Sequence, residues 1–118
     1  MEIQRILDRV KILTGDDRES LLVVLCTDAA RMLEDRLCCT AEEKRQNAEA
    51  LIAAAAAEVM LQLALIDAAQ TPDPFTAGGM RAEFKTACDR AKAYRENCLR
   101  TVSHLLQDDS FFFGGVKG

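Results

Sequence analysis

One histidine, five cysteines and nineteen carboxylates are the residues of this 118-residue chain that could do chemistry. A Cys–His nucleophile needs the imidazole within hydrogen-bond reach of a thiol. His104 stands six residues from Cys98 on one predicted helix, so their side chains point to different sides. A di-iron carboxylate centre in a bundle needs Glu-x-x-His pairs from two helices. Thr101 stands three residues before His104, and there is no second histidine. Cys26, Cys38, Cys39, Cys88 and Cys98 contain no CxxC and no zinc-ligand spacing. Adjacent cysteines seldom meet the geometry for bridging each other, which applies to Cys38 and Cys39. With no secretion signal evident, the thiols read as reduced, and Cys26, Cys88 and Cys98 as small core or interface residues.

The carboxylates are equally unpromising. Asp16, Asp17 and Glu19 lack the alternating ligands and registered glycine of a calcium loop. Glu58 and Asp67 lie more than two helical turns apart, and a lone Glu58 among alanines predicts a contact with an arginine of another helix. Gly78–Gly79 has no preceding strand and no following Lys–Ser/Thr pair, so it is not a phosphate loop. The expectation is a protein without a catalytic site, cofactor or metal.

The elements that position these residues read as helices throughout. Ala48–Ala69, AEALIAAAAAEVMLQLALIDAA, holds strong helix formers and no Gly or Pro. It is apolar nearly all round, interrupted by Glu49, Glu58, Gln62 and Asp67, as a helix at the centre of a bundle should be. A first helix over about 2–14 places Ile3, Ile6, Leu7, Val10 and Leu13 on one face, with Gly15 as its C-terminal cap. A second, over about 18–38, is capped by Asp16 or Asp17. Its apolar stripe takes in Leu21, Leu22, Val24, Leu25, Ala29, Met32, Leu33 and Leu37. A third runs over about 41–70 from a capping box of Thr40 and Glu43. TPDPFTAGGM, with Pro72, Pro74 and Gly78–Gly79, breaks the pattern. A fourth helix, about 81–107, carries Phe84, Ala87, Cys88, Ala91, Tyr94, Cys98, Val102, Leu105 and Leu106 along one stripe. The sum is an all-α domain over residues 1–110. It is a small four-helix bundle around a long alanine-rich helix, with a C-terminal docking tail over 111–118.

Charge divides the chain. Residues 1–80 hold 8 Lys/Arg against 14 Asp/Glu, and residues 81–118 hold 7 against 5, within a formal net charge of −4. That balance gives no reason to expect nonspecific nucleic-acid binding. The basic residues Arg81, Lys85, Arg90, Lys92, Arg95 and Arg100 share the fourth predicted helix, as a solvated face or a charged interface. The N-terminal stretch MEIQRILDRV has no signal-peptide core, and Glu58 and Gln62 at the middle of the alanine-rich helix argue against a membrane span.

Two segments invite contacts. Phe75, Gly78, Gly79 and Met80 belong to the irregular loop, which folds onto the bundle or projects to another subunit. Phe111, Phe112 and Phe113 are half of the chain's six aromatic residues, and three consecutive exposed phenylalanines are an aggregation hazard. They must bury against this bundle or a neighbour, with Gly114 and Gly115 as a joint before Val116.

Taken in order, ILDRVKILTG, DDRESLLVVLCTDAARMLEDRL, the alanine-rich helix, FTAGG and LLQDDSFFFGGV span nearly the whole chain. Together they resemble the head–tail connector (adaptor) proteins of tailed bacteriophages and prophages. The VKxLxG opening and the DDxFFFGxV tail are the most specific pieces. The resemblance implies a structural virion subunit, made in the bacterial cytoplasm, that forms a ring, dodecameric in the virion, beneath the portal. The ring extends the DNA channel at the head–tail junction and docks the stopper or tail-completion protein, while DNA passes without specific binding. Contacts carried over by position are Phe75, Gly78, Gly79 and Met80, and Phe111 to Val116. GGMRAEF is shorter than an inter-subunit strand requires, which favours the tail as the contact. Two other classes stand beside this one: an intracellular dimeric helical regulatory or scaffold module, and a DNA-binding protein using the basic fourth helix.

Overall fold

The computed structural model describes residues 1–70 and 78–107, with the backbone alone over 78–82. Every regular element among them is helical: α1 (Ile3–Thr14), α2 (Glu19–Arg36), α3 (Ala41–Gln46), α4 (Ala48–Ala69), α5 (Gly78–Thr101) and a 3₁₀ turn at Ser103–Leu105. The fold is a helical bundle around the alanine-rich helix, as its all-round apolarity predicts.

α4 is the shared partner of the other helices. Ala54, Ala55, Ala56 and Ala57 are completely buried, and their small side chains let neighbouring backbones approach. Ile6, Leu7 and Val10 of α1 and Leu22, Cys26, Ala29, Ala30 and Leu33 of α2 fill the space around Leu51, Ile52, Val59 and Leu63. Each fully buried Leu or Ile contributes about 1.5–3 kcal/mol relative to an exposed one. α4 is also the one helix among the described residues long and apolar enough to cross a membrane. Just over half of its apolar window lies buried inside the protein.

Local signals set several boundaries as expected. Gly15 takes the left-handed conformation, φ +69°, that closes α1, and its amide donates to the Lys11 carbonyl at 2.9 Å. Thr40 and Glu43 form the reciprocal capping box: the Glu43 amide donates to Thr40 Oγ1 at 3.1 Å, and the Thr40 amide to Glu43 Oε1 at 3.0 Å.

Other boundaries differ from the sequence reading. The third predicted helix is broken at Asn47, so the described residues form five α-helices and not four. There the Glu43 carbonyl accepts both the Asn47 amide, at 3.1 Å, and Asn47 Nδ2, at 2.8 Å. Neither Asp16 nor Asp17 caps α2 by its side chain; Asp16 Oδ1 instead accepts the Arg18 amide at 3.0 Å, ahead of the helix. α5 starts at Gly78, so Gly78, Gly79 and Met80 belong to its first turn and not to the loop. It stops at Thr101, short of Gln107. There Thr101 Oγ1 donates to the Asn97 carbonyl at 3.1 Å and Ser103 Oγ to the Arg100 carbonyl at 2.9 Å, occupying the last carbonyls.

The chain then turns back and buries Val102, Leu105 and Leu106. The Cys38 amide donates to the Leu105 carbonyl at 2.7 Å and the Gln107 amide to the Arg36 carbonyl at 2.6 Å. These two bonds pin the segment after α5 to the end of α2.

Candidate functional site

α5 presents the charged face. Lys85, Arg90, Lys92 and Arg100 are exposed, but so are Glu83, Asp89 and Glu96 between them. Arg95 is turned inward: its Nε donates to Glu58 Oε1 at 2.7 Å. Glu58 is 6% exposed and is the one buried charged side chain among the described residues. Its second oxygen accepts from Gln62 Nε2 at 2.9 Å. A buried carboxylate needs such partners, because desolvating an unpaired charge costs several kcal/mol. The arginine contact predicted for Glu58 is therefore present, and it draws Arg95 out of the predicted charged interface. Nothing is described of the side chain of Arg81.

A second ionic cluster fixes the turn between α1 and α2. Arg18 donates to both oxygens of Asp16, Nη2 to Oδ2 at 2.5 Å, and Nη1 reaches Asp67 Oδ1 of α4 at 2.9 Å. Hydrogen bonding to the guanidinium holds the Asp16 carboxyl below the usual carboxylate range and raises the Arg18 pKa further. Lys11 pairs with Glu19 across the same turn. The acidic residues here thus lock the α1–α2 hairpin onto α4.

The outward side of that hairpin carries exposed apolar side chains among its polar ones. Ile12 is 82% exposed, Val24 56%, Leu13 47% and Val23 40%, with Leu65 of α4 also open to solvent. Leu13 and Val24 were expected on the core-facing stripes. α1 instead spends its buried face on Ile6, Leu7 and Val10, and α2 turns Leu22 and Cys26 inward. Ile12 and Leu13 border a cleft of about 360 Å³ with Arg5, Asp8, Arg9, Glu49 and Ile52, in which Arg5 and Glu49 pair. Sequence reasoning missed this surface, although LLVVL carried the signal. Five consecutive apolar residues at 100° each encircle a helix, so some must face outward.

The remaining predicted contact residues divide by position. Gly78, Gly79 and Met80 open α5. Phe75 and the segment Phe111, Phe112, Phe113, Gly114, Gly115, Val116 lie outside the described residues. Cys26 is buried in the core as expected, and burial pushes its thiol up to about 11. Cys88 and Cys98 are half-buried and Cys38 is exposed. Among the described residues no group of three or more His, Cys, Asp or Glu is placed to hold a metal ion.

The chain matches no protein-family model, no curated protein and no solved structure.

Proposed function

We propose that this chain is a structural subunit that works by self-association, a ring-forming head–tail connector of a tailed phage or prophage. The observation that carries the reading is the set of large apolar side chains left exposed on the α1–α2 hairpin, Ile12, Leu13, Val23 and Val24, on a subunit whose α5 face is by contrast charged. A head-to-tail ring needs a patch and a different counter-patch, and soluble monomers seldom leave Ile12, Leu13, Val23 and Val24 open together. The sequence resemblance supplies the specific role beneath the portal, extending the DNA channel and docking a stopper or tail-completion protein.

The α5 surface suits a wall past which DNA slides. Glu83, Asp89 and Glu96 break the basic stripe, and Arg95 is committed to Glu58, so the exposed Lys85, Arg90, Lys92 and Arg100 are largely offset by carboxylates on the same face. The same features weaken the DNA-binding alternative. The apolar hairpin also suits a simple two-fold dimer, the second reading. Mass spectrometry of purified virions tests the role: the connector reading expects this chain in tailed particles at a fixed ratio to portal, and its absence from them contradicts it.

A further inference from the structure

We infer that, within a single subunit, the aromatic segment Phe111–Phe113 docks in the apolar groove between the start of α1, α3 and α4. The groove has a volume of about 270 Å³ and is lined by Met1, Ala41, Ala48, Leu51 and Ile52 together with the charged Glu2, Lys44 and Arg45. It is apolar at the surface, large enough for an aromatic ring, and no described side chain fills it. A phenylalanine that leaves water buries about 150–250 Å². Three in succession have a strong drive to find such a place.

Reach selects this occupant. The described chain ends at Gln107, whose amide is bonded to the Arg36 carbonyl at 2.6 Å. Two residues back along α2, Glu34 pairs with the Met1 ammonium and lies 3.6 Å from Lys44 Nζ, and both of those residues line the groove. The groove and the point where the segment departs are therefore both tied to the last turn of α2, at Glu34 and at Arg36. Phe111 to Phe113 follow Gln107 by four to six residues, a reach of roughly 13–22 Å when extended. The bonds from Gln107 and Leu105 to the end of α2 fix the point from which the segment departs. This inference uses neither the ring nor the portal, so it stands or falls apart from the connector reading.

Isotope-filtered NOE spectroscopy on the intact chain tests it. Copies with labelled methyl groups are mixed with copies bearing labelled phenylalanine, and doubly labelled chains are measured alone. The expected result is a set of NOEs from the Phe111–Phe113 rings to the methyls of Ala48, Leu51 and Ile52 within one copy and none between copies. A stop codon at Ser110 should shift those methyls and leave Val23 and Val24 unmoved. Absence of the NOEs overturns the inference. NOEs found only between copies overturn it as well, by placing the segment on a neighbour, and leave the connector reading intact.

Discussion

Arg95 of α5 reaches into the bundle and donates its Nε–H to the buried carboxylate of Glu58 on α4, 2.7 Å away. No residue of α5 described from Glu83 onward is fully buried, so this bond does much to fix how α5 lies on α4. Removing one partner of a buried pair costs more than the pair itself contributes, because the other charge is stranded. Arg95→Ala should therefore destabilise the protein by about 3 kcal/mol in urea unfolding, the low end of the range for buried pairs because Arg95 is partly exposed. Glu58→Leu combined with Arg95→Met should recover most of that loss. A single-variant loss below about 0.5 kcal/mol, the size of an ordinary surface change, would contradict the assignment.

Acid should weaken the hairpin lock. The Arg18 guanidinium holds Asp16 below the ordinary carboxylate range, so its pKa is lower folded than unfolded. Its contribution is complete above the unfolded value near 4 and disappears as pH falls through the lower, folded value. Glu43 behaves alike, because the Thr40 amide and hydroxyl hydrogen-bond its charged form. Asp16→Asn and Glu43→Gln should each flatten the fall in stability below about pH 4 while leaving its shape above pH 6 unchanged. Equilibrium unfolding across that range reads the difference directly.

The capping box offers a separate handle on α3. With only six residues, α3 depends on its cap more than a long helix would. Thr40→Ala should cost about 1 kcal/mol, and Thr40→Ser should restore most of it. Thermal unfolding of the three proteins checks the order.

The thiols should separate by burial. Cys26 is fully enclosed and its thiol is pushed up to about 11, so it should resist iodoacetamide at pH 8 until the protein unfolds. Exposed Cys38 should label first. Peptide mapping over time distinguishes them, and early modification of Cys26 would show that α2 opens readily.

Much of this architecture was legible in the sequence, and the losses have physical causes. The alanine-rich helix, the Gly15 cap, the Thr40–Glu43 box and the Glu58 arginine contact all follow from residue type and spacing. The break at Asn47 does not, since asparagine occurs within helices as well as at their ends. Nor does the return of Leu105 and Leu106 to the end of α2, because a helical stripe continuing to Leu106 and a turn that buries the same residues share one pattern. Leu13 and Val24 were misplaced for a third reason: periodicity identifies an apolar face but not which of two neighbouring faces a partner covers. The charged stripe on α5 was visible, while the engagement of Arg95 needed the packing of two helices.

The outward hairpin surface should govern association and not folding. Ile12→Lys with Val24→Lys replaces two exposed side chains, so stability should stay within about 0.5 kcal/mol per site. Assembly should fail. Sedimentation velocity over a concentration series measures this, and unchanged association would remove the hairpin from the interface.

The connector reading meets its most direct test in particles. A stop codon at Arg5 is introduced into the gene in its source genome, and the lysate obtained on phage induction is imaged by negative-stain electron microscopy. The account predicts free tails beside tailless heads that leak or lack DNA, with tailed particles restored when the chain is supplied from a plasmid. Normal tailed particles, or a gene in no phage or prophage genome, would contradict it.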